Sequence, residues 1–265
     1  MRVICFVKYV PDVDQMQFDY EKNALIRDGA RLILNPEDAC AVAYALHLRQ
    51  VDASVTVEVV SMGPPSTAER LKDLARLGAD QVTLISDPAF RGSDTYATSV
   101  VLAAYVRQTP YHLILTGTHT LDSGTSHIPP QVAELLQLHQ FSNVVKIEEI
   151  TTERVHFVAE VDQDFVQLEM PMPAMLSVNK DINMKLGYVK YQDLERNVDD
   201  QLTVITNQDL NLDPSMTGFK GSPTNVKRSH LAQLKATEQQ IVQNDEAGIE
   251  RVYQILKEKG FVDHV

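Results

Sequence analysis

A chain of 265 residues with 44% apolar side chains can bury one large α/β core and carry an appendage. Its formal net charge of −12 excludes the basic footprint that a nucleic-acid backbone requires. No apolar run reaches the roughly 18 residues needed to cross a bilayer, which excludes a membrane-inserted helix.

The N-terminal segment MRVICFVKYV has one Arg and a short apolar run, without the core length or cleavage site of a secretory signal. Its run 2–10 reads as a first strand that ends at Pro11. Asn35, Pro36, Glu37 and Asp38 open a helix over 36–50: proline suits a first turn, and acids suit the positive end of a helix dipole. SVTVEVVSM (54–62) reads as the next strand, stopped by Gly63-Pro64-Pro65. Ser66-Thr67-Ala68-Glu69 has the spacing of a capping box for a helix reaching Leu77. QVTLIS (81–86) and HLILTG (112–117) read as further strands, with a helix over 95–108 opened by Ser93 and Asp94. Such continuous apolar runs suit strands buried on both faces. Their alternation with helices implies a parallel sheet with right-handed crossovers.

After about residue 143 the pattern changes. NVVKIEEI, RVHFVAEV, FVQLEM and AMLSV are short, β-rich and closely spaced, and read as an antiparallel addition to the same domain. From Tyr188 the chain is polar and irregular, with a Gly/Pro/Ser-rich stretch, NLDPSMTGFKGSPTN. A charged amphipathic helix over about 237–259 closes it. The expected division is an α/β domain over 1–187 and an extended C-terminal arm over 188–265, lying on a partner or wrapping its own domain. Cys5 and Cys40 lack metal spacing and read as buried free thiols in a reducing cytosol. A cytoplasmic protein is expected.

Ligands of open α/β sheets sit beyond the carboxyl ends of the strands. The first strand leads to Lys8 and then Pro11-Asp12, and the next to Met62. The strand over 112–117 leads into THTLDSGTSHIPP (118–130). Gly117 and Gly124 allow close backbone approach, Ser123, Thr125 and Ser126 supply hydroxyls, and a helix starting near 126–129 would direct N–H groups at a phosphate or pyrophosphate. Ordinary turn and capping chemistry explains the same residues. There is no G-x-G-x-x-G after the first strand, no Walker lysine loop and no G-x-S-x-G elbow. His119 and His127 have poor metal spacing; His127 suits a ligand hydrogen bond or a helix cap. His47 and His112 look like surface or helix positions.

In order and spacing, VKYVPD, LNPEDACAVAYAL, SMGPPSTAERLKDLARLGADQVTLISDPAF, GSDTYATSVVLAA, the loop after Gly117, MPAMLSV and GFKGSPTNV resemble the β (small) subunit of electron-transfer flavoproteins, closest to the electron-bifurcating type. The resemblance implies an α/β fold of the adenine-nucleotide-binding type, mostly parallel, and a larger α subunit that carries FAD. It implies a cofactor in this chain, FAD in the bifurcating type or AMP in the housekeeping type. The cofactor contacts it implies are Phe6, Asn35, Pro36, Glu37, Asp38, Met62 and the loop His119, Thr120, Leu121, Asp122, Ser123, Gly124, Thr125, Ser126, His127. Asp94, Thr95 and Thr98 would line the flavin side. No side chain acts as acid or base; the flavin does the chemistry.

The implied partners are the α subunit and a flavin dehydrogenase of the acyl-CoA dehydrogenase type, with NADH and ferredoxin if the complex bifurcates. Departures from the family pattern stand at Gly124, His127, Pro129, Ala159 and Met184-Lys185-Leu186. They leave open a subunit with AMP alone, or an assembly paralogue without flavin.

Overall fold

β1 (Arg2–Phe6) is buried on both sides, and its side chains alternate between two cores. Val3 and Cys5 enter one cluster, while Ile4 and Phe6 enter the other. The structure, a computed structural model, describes residues 1–12, 17–19, 24–26, 31–224 and 241–262. The expected first strand is divided. β2 (Tyr9–Pro11) leaves the main sheet and pairs antiparallel with β5 (Leu32–Leu34). Between them, β3 (Gln17–Asp19) and β4 (Ala24–Ile26) form a separate antiparallel pair. The break falls at Lys8, whose backbone N–H and C=O are drawn to Asp38 and Asn35 instead of a neighbouring strand.

The strand–helix alternation is as expected. α1 (Pro36–Val51) starts on proline with Glu37 and Asp38 in its first turn. β6 (Thr56–Met62), α2 (Ala68–Arg76), β7 (Gln81–Ile85), α3 (Thr95–Arg107), β8 (Leu113–Gly117) and α4 (Ile128–Leu136) follow. The capping box at Ser66–Glu69 is not made. Residues Pro65–Thr67 form a 3-10 turn, and no side-chain cap precedes α2. β9 (His139–Ile150), β10 (Arg154–Val161) and β11 (Asp164–Pro171) make the expected antiparallel addition, but β12 (Ala174–Val178), expected within it, instead returns parallel between β9 and β8 as part of the main sheet.

The result is a nine-stranded sheet in the order β11-β10-β9-β12-β8-β1-β6-β7-β13. Its pairs from β9 to β13 are parallel. β13 (Leu202–Ile205) extends it beside β7. α1 and α2 supply the core on one face, and α3 and α4 on the other. Within the second face, buried Glu58 of β6 accepts from Arg2 at 2.6 Å, from Thr83 at 2.8 Å and from the Tyr105 hydroxyl.

The chain divides into Met1–Lys227 and Arg228–Val265. Residues 188–224, which the sequence reading assigns to the arm, thus belong to the first unit. They include β13, the short helices α5 (Asn207–Leu210) and α6 (Gly218–Gly221), and Arg196 and Gln201, which donate to backbone carbonyls of 75, 79 and 80. In the second unit α7 (Glu246–Glu258) is capped by Asp245, which accepts from the Gly248 N–H at 2.8 Å. Its expected start near 237 lies outside the described residues, and residues 241–245 are not helical. No described helix is long and apolar enough to cross a membrane. Cys5 is buried, whereas Cys40 is only half-buried.

Candidate functional site

The start of α1 packs under the carboxyl ends of β1 and β8, and its polar side chains shape both strand exits. Asn35, Glu37 and Asp38 are 1%, 6% and 3% exposed. Asp38 accepts from the N–H of Lys8 at 2.8 Å and of Gly117 at 2.9 Å. Glu37 accepts from the N–H of His119 at 2.9 Å and lies 3.1 Å from its ring Nδ1. The Asn35 amide donates to the His119 carbonyl at 2.9 Å and accepts from the Leu121 N–H at 3.2 Å. These groups satisfy backbone donors that leave the sheet at a buried position, where an unpaired N–H would be costly. Burial pushes the Asp38 carboxyl up to about 7, against the two N–H donors that favour its charge.

The side chains of three residues expected at the ligand, Asn35, Glu37 and Asp38, are thus engaged in holding the loop's root. Gly117 does permit a close approach, but of α1: a Cβ there would lie 2.5 Å from Asp38 Oδ1 and 2.7 Å from Glu37 Cβ. Thr118 continues the frame, donating to Ser177 at 3.3 Å and accepting from the Asn143 N–H.

Beyond His119 the loop is exposed. Lys8 Nζ lies 2.6 Å from Asp122 Oδ2, and the Thr120 hydroxyl donates to Asp122 Oδ1 at 2.7 Å. Burial works to raise the Asp122 carboxyl, but these two donors prevail and hold it below its ordinary value. Thr120 has one proton, so Ser123, 2.8 Å away, donates to it and keeps none for a ligand. The N–H groups of Ser123 and Gly124 both turn to the Thr120 carbonyl. Gly124 and Ser126 then adopt left-handed φ of 60° and 55°. Among the described residues, no hydrogen bond claims the N–H groups of Thr125, Ser126, His127 and Ile128, or the hydroxyls of Thr125 and Ser126.

The start of α4 supplies less than the sequence pattern implies. Pro129 and Pro130 have no N–H, and Gln131 donates to the His127 carbonyl at 3.1 Å. Of its first turn only Ile128 keeps a free donor, so an anion would be met chiefly by the loop.

The remaining expected residues surround this loop unequally. The Phe6 side chain is buried in the core beside α3, and Met62 is half-buried against the same cluster. Pro36 is exposed at the start of α1. Thr95 reaches the loop, its hydroxyl 3.4 Å from His127 Nδ1. Thr98 is half-buried one turn further along α3.

Asp94 faces elsewhere. One carboxylate oxygen caps α3 through the Ala97 N–H at 3.0 Å, and the other accepts from the N–H and hydroxyl of Thr224 at 2.9 and 2.7 Å. Burial would raise its pKa, but these donors outweigh it and the carboxyl is held low. Ser222 accepts from the Asp94 N–H at 2.8 Å, and its one hydroxyl proton faces the Gly218 carbonyl at 2.7 Å, with that of Gly92 3.2 Å away. Lys8 was not among the expected contacts, although it ties to the loop through Asp122. Lys8 stood visible at a strand end, but nothing in its spacing revealed a partner 114 residues away. Of the other histidines, His112 accepts from the Arg2 N–H at 3.1 Å and His47 is exposed.

The electron transfer flavoprotein domain matches residues 22–202 of the chain. An electron transfer flavoprotein subunit beta of Clostridium acetobutylicum is 30% identical over 262 residues, covering 99% of this chain and 100% of that protein. Subunit CarD of the caffeyl-CoA reductase-Etf complex of Acetobacterium woodii is 31% identical over 230 residues, 86% of this chain and 87% of its own. The acryloyl-CoA reductase electron transfer subunit gamma of Anaerotignum propionicum is 27% identical over 266 residues, 98% and 99% of the two chains.

Proposed function

Since the chain belongs to the electron transfer flavoprotein family as a β-type electron-transfer subunit, we propose that it holds the adenylate part of FAD at the loop 119–127 and passes electrons within a complex with an α-type subunit. The observation that carries this reading is the loop itself. It lies at the carboxyl ends of β1 and β8, is exposed, and offers the unclaimed N–H groups of 125–128 with the hydroxyls of Thr125 and Ser126. Backbone donors of this kind suit a phosphate, and the rigid frame beneath them lowers the cost of ordering the site. When bound, the flavin supplies the redox chemistry. The protein's part is to bind and orient: Thr125, Ser126 and Ile128 toward phosphate, Met62 against a ring, Thr95 and His127 at the α3 side.

The names of two relatives, a caffeyl-CoA reductase-Etf complex subunit and an acryloyl-CoA reductase electron transfer subunit, support a flavin-dependent acyl-CoA reductase or dehydrogenase as the electron partner. With FAD in this chain the complex would bifurcate, taking electrons from NADH and delivering them to ferredoxin and to the α-side FAD. The C-terminal helix α7 exposes Ile249, Val252, Tyr253 and Leu256 on one stripe, an apolar face suited to the α-type subunit.

A second reading, AMP in place of FAD, is favoured by Pro129 and Pro130, which remove two donors that a diphosphate would use. The test is cofactor content. The chain is co-expressed with its α-type subunit, the complex is denatured, and FAD and AMP are quantified by chromatography. Two FAD per heterodimer without AMP is the expected result. One FAD with one AMP would establish the second reading, and a complex with no nucleotide beyond the α-side FAD would overturn both.

A further inference from the structure

We propose that Lys8 is a positioning residue of this site: through Asp122 it sets the loop 119–126 in its binding shape and so controls nucleotide affinity. The inference rests on the nucleotide reading above. Lys8 is anchored at both backbone groups, its N–H on Asp38 at 2.8 Å and its C=O on the Asn35 N–H at 2.9 Å. Its side chain therefore starts from the buried frame. It ends 2.6 Å from Asp122, with both side chains part-exposed. From Asp122 the linkage continues to the Thr120 hydroxyl and on to Ser123, at 2.7 and 2.8 Å.

Two consequences follow from charge and geometry. First, among the described residues the ties between the loop 120–126 and the frame are the Asn35 bond to Leu121 and the Lys8–Asp122 pair, because Ser123 and Gly124 bond only to Thr120 within the loop. The pair is thus the outermost anchor before the left-handed turn at Gly124 and Ser126. Second, Asp122 is an anion three residues from donors that would face a phosphate. Its repulsion of a second anion is cancelled by the Lys8 ammonium held against it. Lys8 acts on the ligand through Asp122, and this distinguishes it from a lysine that grips phosphate directly.

A two-residue cycle in the heterodimer tests this. The complex is stripped of nucleotide, and AMP, then FAD, is titrated by calorimetry. For a part-exposed pair, Lys8→Met should weaken AMP about fivefold, and Lys8→Arg should stay within about twofold of the parent. In an Asp122→Asn background, Lys8→Met should change affinity by less than about twofold, since its partner charge is gone. Full loss in both backgrounds would mean a direct contact with the ligand and would overturn the proposal, as would unchanged binding by Lys8→Met. If the parent complex binds neither AMP nor FAD, the nucleotide reading fails and this inference with it, a result visible without any variant. If Lys8→Met does not assemble, Lys8→Gln is taken through the same cycle.

Discussion

Asp38 is the residue on which the site's frame turns, because its two oxygens hold the exits of two strands. Its folded-state value of about 7 lies above its ordinary 3.8. The folded chain therefore binds more protons than the unfolded chain between those limits. The stabilisation from its protonated form is complete below about pH 4 and lost as the pH rises to about 7. The melting temperature should fall across that window. Asp38→Asn, which keeps one acceptor oxygen, should flatten this segment of the curve; thermal melts at half-unit steps from pH 4.5 to 8 check it.

Glu58 is a second buried carboxyl, which accepts from Arg2, Thr83 and Tyr105. Arg2→Met removes the ion-pair partner of this buried group, and a loss of about 3 kcal/mol is expected in urea unfolding. Tyr105→Phe removes one neutral donor and should cost about 1–2 kcal/mol in the same assay.

At the scale of elements, α1 and β8 are joined more closely than their packing faces require. Gly117 is the contact point, where an added Cβ would meet the Asp38 backbone N at 2.9 Å as well as its side chain. Gly117→Ala should cost about 1–3 kcal/mol by overpacking, and the same shift should weaken nucleotide binding because it moves the loop's root. A melt combined with an AMP titration separates the two effects.

The start of α3 is tied in a comparable way to the segment around α6. Asp94→Ala removes the helix cap and the Thr224 anchor together. We expect about 1–2 kcal/mol from the cap and faster proteolytic cleavage just before Thr224. Unchanged cleavage would show that Ser222 and Gly218 hold the segment without Asp94.

Over the whole molecule, the mostly parallel sheet places the candidate site where strand exits converge, and its β9–β11 addition extends the sheet away from that point. The exposed stripe of α7 belongs to the second unit and is a separate matter. If the α-type subunit covers it, amide exchange across 246–258 should slow at least about tenfold in the complex relative to the isolated chain. Equal exchange in both would remove this helix from the interface.

The division of the first strand, the edge strand β13 and the parallel return of β12 were not legible in the sequence, whereas most of the strand–helix alternation, the antiparallel pairing of β9 to β11 and the family were. The legible features are written in local pattern: uninterrupted apolar runs, proline and acids after Asn35, short β-rich segments, and motifs in a fixed order. What only the tertiary structure decided was the direction in which each polar residue turned. Asn35, Glu37 and Asp38 read as a helix start, and the family resemblance adds a cofactor contact. Their side chains hold the frame because the N–H groups of Lys8, Gly117, His119 and Leu121 arrive beside them from distant parts of the chain. Asp94 turned to Thr224, and Lys8 to Asp122, for the same reason. A polar side chain has no preferred partner in sequence; the fold assigns it to the unsatisfied backbone donor or opposite charge that burial brings within reach.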